Sequence, residues 1–113
     1  MHEMSIAEGI LQLVEETARR EKAQRVGLVV LEIGQLASVE VEALRFCFDV
    51  AMRDSVAEGA RLEIVETPGV GWCLDCNRSV ALREKLGTCP QCGSFRVQVT
   101  GGTEMRVLEL EIE

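Results

Sequence analysis

Four cysteines stand in two pairs, Cys73-x-x-Cys76 and Cys89-x-x-Cys92, separated by twelve residues. A two-residue gap lets both thiolates of a pair reach one ion while backbone amides point back at the sulfurs. Two such pairs complete a tetrahedron with Zn–S distances of about 2.3 Å. The second pair is a strong knuckle: Pro90 fixes one turn angle, and Gly93 permits the positive φ that follows. In the first pair Asn77 occupies the matching turn position. With all four positions filled by protein, the expected Zn(II), one per chain, holds shape and does not activate water. A rubredoxin-like iron centre uses the same ligands, and a pair of disulfides is the third reading. Cys47 lies between Phe46 and Phe48 in a helical stretch, where a free thiol behaves as a small hydrophobe, with no histidine to activate it.

The second chemical feature is the amino terminus. His2 is the sole histidine, and its bulk is expected to keep Met1 in place ahead of it. The Met1 amine, the His2 amide nitrogen once deprotonated and the His2 imidazole can chelate one ion in fused rings. Glu3 can add its amide nitrogen or its carboxylate. Square-planar nitrogen and oxygen coordination selects Ni(II) or Cu(II) over Zn(II) and Mg(II). The imidazole must be neutral to bind, so affinity should fall as pH drops through about 6.5. The competing reading is a frayed chain end.

These groups need a scaffold. Ser5 and Glu8 form a Ser-x-x-Glu capping box, which predicts a helix beginning just after Ser5 with Met1 to Met4 outside it. Ile6, Ile10, Leu13 and Val14 then recur at helical spacing. The aliphatic run from Arg25 to Ile33 predicts a buried strand stopped by Gly34. A second helix is expected from near Ser38, with Glu40 and Glu42 complementing its dipole and Val41, Leu44, Phe48 and Ala51 as its apolar stripe. Arg61 to Thr67 is a strand ended by Pro68-Gly69. Thr103 to Glu113 alternates again, with Leu108, Leu110 and Ile112 on one face. The expected fold is α+β: two helices packed on a three-stranded sheet, with a four-cysteine zinc-ribbon-like domain inserted before the last strand. The implied domains are 1-69 plus 101-113, and 70-100. The insert has almost no apolar core and is expected to depend on its metal.

The totals set limits. A chain of 113 residues with 47% hydrophobic content supports one modest core plus a metal-stapled appendage. The formal net charge of −7 opposes a nucleic-acid partner. A zinc-ribbon adaptor or nucleic-acid-binding protein would need a basic face around Arg78, Arg83, Lys85 and Arg96. No apolar run approaches the ~20 residues of a membrane span, and the opening residues do not read as a signal peptide. Paired cysteines of this kind suit a reducing cytoplasm. No His–Cys or Ser–His pairing, phosphate loop or open metal site points to catalysis.

Taken together, Met1-His2-Glu3-Met4-Ser5, Leu31-Glu32-Ile33-Gly34, Phe46-Cys47-Phe48-Asp49, Ser55-Val56-Ala57-Glu58-Gly59 and the two cysteine pairs resemble the HypA/HybF family over essentially the whole chain. The resemblance implies a nickel-incorporation accessory protein of [NiFe]-hydrogenase maturation, with an α/β nickel-binding domain and an inserted zinc domain. It implies Ni(II) as transient cargo, passed with a GTPase partner to the hydrogenase large-subunit precursor; some relatives also serve urease. Carried over by position, the nickel ligands would be Met1 through its amine, His2 and Glu3, with Glu40 where the family often has Asp. Some relatives carry histidines beside the cysteine pairs. Arg78 and Gly93 stand in those neighbourhoods here, which argues against a zinc site that switches by His-for-Cys exchange.

Overall fold

The computed structural model describes residues 2–113. The chain is α+β, in the order α1 (Glu3–Glu21), β1 (Val26–Gly34), α2 (Val41–Ala51), β2 (Arg61–Thr67), β3 (Gly69–Cys73), β4 (Arg78–Leu82), β5 (Val97–Gly101) and β6 (Met105–Ile112). Two three-stranded sheets form, ordered β2-β1-β6 and β4-β3-β5. The second sheet is the insert, since its three strands follow β2 and precede β6 in the chain. Two compact units result. One comprises the stretch ending at Leu31 together with Val39–Ile64 and Val107–Glu113, and the other Glu32–Ser38 with Val65–Arg106.

In the first unit, α1 packs against α2. Ala7, Ile10, Val14 and Ala18 are buried on α1, and Leu44 and Phe48 are buried on α2. Leu13, expected in the apolar stripe, is exposed. The α1 stripe runs through Ala7, Ile10, Val14 and Ala18, one step around the helix from Leu13.

Both helix starts differ from expectation. Helix α1 begins at Glu3, with His2 as its extended N-cap residue (φ −85°, ψ 104°) and the Ile6 amide donating to the His2 carbonyl at 3.2 Å. The capping box therefore does not form, because Ser5 already lies within the first turn, and Glu3 and Met4 are helical. Glu3 supplies the acidic charge that the helix dipole favours there. Helix α2 begins at Val41 with Glu40 as N-cap. Ser38 has φ of 61°, a left-handed geometry outside the extended region an N-cap residue needs. The last strand begins at Met105 instead of Thr103.

The second unit is a small sheet with β3 at its centre. Strand β3 pairs antiparallel with β4, where Cys73 faces Arg78, and with β5, where Cys73 faces Val97. Its core is small: Leu36, Cys73, Val80, Leu82 and Cys89. Leu36 comes from the β1–α2 connection, well before the cysteines. Backbone bonds fix that segment, from Gln35 to the Thr67 carbonyl at 2.8 Å and from Leu36 to the Gly102 carbonyl at 2.7 Å. Gly34 permits the approach, since a Cβ there would overlap the Gly102 carbonyl oxygen; Gly102 itself adopts φ of 91°.

Candidate metal centres

The β3–β4 turn delivers Cys73 and Cys76, and the turn before β5 delivers Cys89 and Cys92. Their four Sγ atoms lie within 4.8 Å of one another. Two separations, Cys73 to Cys92 at 3.7 Å and Cys76 to Cys89 at 3.8 Å, match the edge of about 3.8 Å in a regular tetrahedron of 2.3 Å metal–sulfur bonds. All four are free thiols, as is Cys47, which is half-buried on α2. The donor set fits a tetrahedral, thiolate-preferring ion such as zinc. Cys73 and Cys89 are buried in the small core, while Cys92 is exposed.

Local sequence shapes both knuckles alike. The Asn77 amide donates to the Cys73 carbonyl and the Gly93 amide to the Cys89 carbonyl, each at 2.8 Å. Both residues take the expected positive φ, 57° at Asn77 and 75° at Gly93. Amides also face the sulfurs, from Cys76 to Cys73 Sγ and from Gln91 to Cys89 Sγ, each at 3.3 Å.

Without a cation the four sulfurs cannot all ionise at this spacing, and their proton affinities separate. Hydrogen bonding with Cys92 and burial push the Cys76 thiol up to about 12. At Cys89 burial opposes ionisation, yet the amides of Cys92 and Gln91 outweigh it and bring the thiol down to about 7. Cys92 is raised: bonds with the Ser94 amide and with Cys76 favour its thiolate, but partial loss of hydration at its sulfur and the bonds with Cys73 and Cys89 prevail. A divalent ion removes this conflict by binding every sulfur as thiolate.

At the other candidate site, His2 is exposed and Glu3 is half-buried. Met1 lies outside the described residues. The Glu3 carboxylate accepts a hydrogen bond from the Glu40 backbone amide at 3.1 Å, and so caps α2 from another helix. That bond is the leading reason the Glu3 carboxyl is held below its ordinary value. The structure thus brings Glu3 to the main chain of Glu40, and chain connectivity sets His2 beside it. Glu40 is exposed.

The family model describing "Hydrogenase/urease nickel incorporation, metallochaperone, hypA" matches residues 1–112. The chain belongs to the HypA family. Its relatives include hydrogenase maturation factors HypA from Dechloromonas aromatica, 64% identical, and Azotobacter chroococcum, 66% identical, each aligned over 100% of both chains. The solution structure of the Ni metallochaperone HypA from Helicobacter pylori is 32% identical with a TM-score of 0.69, covering 99% of this chain and 97% of that one. A second solution structure of a HypA protein gives 32% identity and a TM-score of 0.71, covering 100% of this chain and 97% of that one. This is therefore a member of a nickel-incorporation metallochaperone family acting in hydrogenase maturation, with a four-cysteine metal-binding site. Among the described residues, no helix is long and apolar enough to cross a membrane.

One part of the HypA four-cysteine site escaped the sequence reading. Asp75, inside the first knuckle, accepts hydrogen bonds from the Ser94 hydroxyl and from Arg96 Nη1, the latter at 2.9 Å. The Leu74 amide donates to the Arg96 carbonyl, and the Cys89 amide to the Ser94 carbonyl, both at 2.9 Å. The two knuckles are thereby tied to each other independently of a metal. An acidic residue within one Cys-x-x-Cys and Ser-x-Arg just after the other was the available signal. Arg96, counted above towards a basic nucleic-acid face, is engaged by Asp75.

Proposed function

We propose that this chain carries one Ni(II) at its amino terminus and delivers it, with a GTPase accessory protein, to the hydrogenase large-subunit precursor. The ligands in this reading are the Met1 amine, the His2 amide and imidazole, and Glu3. The arrangement at α1 supports it. His2 is an exposed N-cap residue, and Glu3 begins the helix, where amides have no intrahelical carbonyl to satisfy. The Glu3 carboxylate is engaged with the Glu40 amide, so its amide nitrogen is the better-placed ligand. Glu40 then acts chiefly through its backbone, and its own carboxylate is a secondary ligand.

The four-cysteine site, in the same reading, holds one structural Zn(II) per chain through Cys73, Cys76, Cys89 and Cys92, with residues 70-100 as the zinc domain and 1-69 plus 101-113 as the nickel domain. The protein is a carrier and not an enzyme, it works in the cytoplasm, and urease maturation proteins are further recipients to test. The observation that carries the reading is the full-length HypA match joined to a solvent-facing His2. The test is nickel titration of protein with its native start, alongside His2→Ala and a copy extended at the amino terminus. The expected result is one Ni(II) per chain in the first and loss of most affinity in the other two, with zinc content unchanged. Equal nickel binding in all three would place the site elsewhere.

A further inference from the structure

Four thiolates on one zinc ion are four nucleophiles, since a metal-bound sulfur stays deprotonated and keeps much of its reactivity. What separates them here is access. Cys73 and Cys89 lie in the core of the unit, 0% and 2% exposed, and Cys76 is half-buried. Cys92 alone of the four is exposed, as are its neighbours Gln91 and Gly93. The buried pair is also held by the main chain, through the Cys76 amide on Cys73 Sγ and the Gln91 amide on Cys89 Sγ. Cys92 Sγ lies 3.7 Å from Cys73 Sγ, and Cys76 Sγ lies 3.8 Å from Cys89 Sγ. Both contacts cross from one knuckle to the other, and together they use every sulfur of the site.

We propose that Cys92 is a modification site for peroxides, the first sulfur of the zinc-loaded unit to be oxidised, and that Cys73 resolves it as a disulfide and so frees the metal. The inference rests on zinc occupying the four-cysteine site. In the first step the Cys92 thiolate attacks one peroxide oxygen: an S–O bond forms, the O–O bond breaks and hydroxide leaves, giving a sulfenic acid. In the second the Cys73 thiolate attacks the Cys92 sulfur: an S–S bond forms, the S–O bond breaks and a second hydroxide leaves. Two thiolates give up two electrons, and one peroxide accepts them. Zinc then keeps only Cys76 and Cys89, too few to hold it against a chelator. A second peroxide joins that pair in the same way. The ties between the knuckles that do not use sulfur need no metal. Asp75 binds Ser94 and Arg96, and the Leu74 and Cys89 amides bond the Arg96 and Ser94 carbonyls. The knuckles therefore stay side by side, which favours the crossed disulfides over intermolecular ones and lets a dithiol reverse them.

The test treats zinc-loaded full-length protein with hydrogen peroxide beside a chromophoric zinc chelator and maps every cysteine by mass spectrometry. Zinc content is measured first. Zinc-free protein would sink the zinc reading and this inference with it, whereas zinc-loaded protein that keeps its metal under peroxide would sink the inference alone. Expected are zinc release in step with loss of the Cys92 thiol, dimedone capture at Cys92 and, without dimedone, a Cys73–Cys92 disulfide. Dithiothreitol with added zinc should restore the loaded protein. Cys92→His keeps a zinc ligand but offers no sulfur, and should slow peroxide-driven release by at least about tenfold. Cys76→His keeps both Cys92 and Cys73 and should release zinc within about twofold of the parent rate. Should Cys92→His fail to load zinc, the mapping of the parent protein decides alone. First capture at Cys73, Cys76 or Cys89, a first disulfide within one knuckle, or equal release from Cys92→His and the parent would overturn the proposal. So would oxidation confined to Cys47 with zinc retained.

Discussion

Leu36→Ala tests whether the four-cysteine unit folds by itself or only with its metal. Leu36 is 2% exposed and is the one member of the unit's small core that lies outside the 70–100 stretch. Its partners there are Cys73, Val80, Leu82 and Cys89, two of which are metal-site thiols. Truncating a fully buried leucine costs about 3 kcal/mol, within a range of roughly 2–5. If metal binding and folding are one step, that whole cost appears in the apparent zinc affinity, which should fall about 10²-fold at 1.4 kcal/mol per decade. If the metal-free unit is already folded, the mutation lowers its stability and leaves zinc affinity nearly unchanged. The assay is competition for zinc with a chromophoric chelator, and Leu86→Ala is the control because Leu86 is 94% exposed. Zinc affinity within about twofold of the parent protein, with a lowered melting temperature of the metal-free form, would refute metal-coupled folding.

Other consequences follow from single contacts. Gly93→Ala places a side chain at φ of 75° with nothing within 4 Å of it, so it should cost only the left-handed penalty of about 1–2 kcal/mol, read by denaturant unfolding of the zinc-loaded protein. Asn77→Gly, at φ of 57°, should be neutral to within about 1 kcal/mol by the same measurement. Zinc loading at pH 7 must release a proton from Cys76 and another from Cys92, whereas the lowered Cys89 thiol contributes less. Calorimetry in buffers of different ionisation enthalpy should therefore count at least about two protons. The Glu3 carboxyl is depressed by the Glu40 amide, so its contribution to stability is present above the ordinary carboxylate value and fades as pH falls through the folded value. Glu3→Gln should lower stability at neutral pH and flatten that acid-side dependence, followed by thermal unfolding across pH 3 to 7.

What was legible in the sequence was local chemistry. The metal site follows from two short turns, and each turn declares itself: Pro90 and Gly93 in one, Asn77 in the other, all within a few residues of the sulfurs they position. Strand β1 was legible because nine consecutive residues are apolar or small except Glu32, and β2 because Pro68 ends it. The helix starts were not. A capping box is a local motif, and at Ser5 it lost to an arrangement in which Glu3 bonds an amide 37 positions away. Sequence periodicity also ranked Leu13 above Ala7 and Ala18 as an α1 stripe residue, because side-chain hydrophobicity is legible along a chain and the face that packing buries is not. Leu36 likewise carries no local signal in the sequence, yet it completes the core around Cys73 and Cys89.

The two candidate metal centres differ in the property a carrier requires, the ease with which a bound ion can leave. In the four-cysteine site the donors arrive from two turns already tied together by Asp75, Ser94 and Arg96, and two of the four sulfurs are buried in a core. Release of an ion there means breaking four metal–thiolate bonds whose sulfurs are held in place by that framework. At the amino terminus the principal proposed donors belong to three consecutive residues, with the Glu40 carboxylate secondary, and His2 stands in solvent. Release there needs local rotation and return of protons to the backbone and side-chain nitrogens, which places exchange within reach of a competing ligand on a partner. A protein built to hand over a metal needs one site that keeps its ion and one that does not. The proposed assignment of zinc to the sulfurs and nickel to the chain start follows that asymmetry.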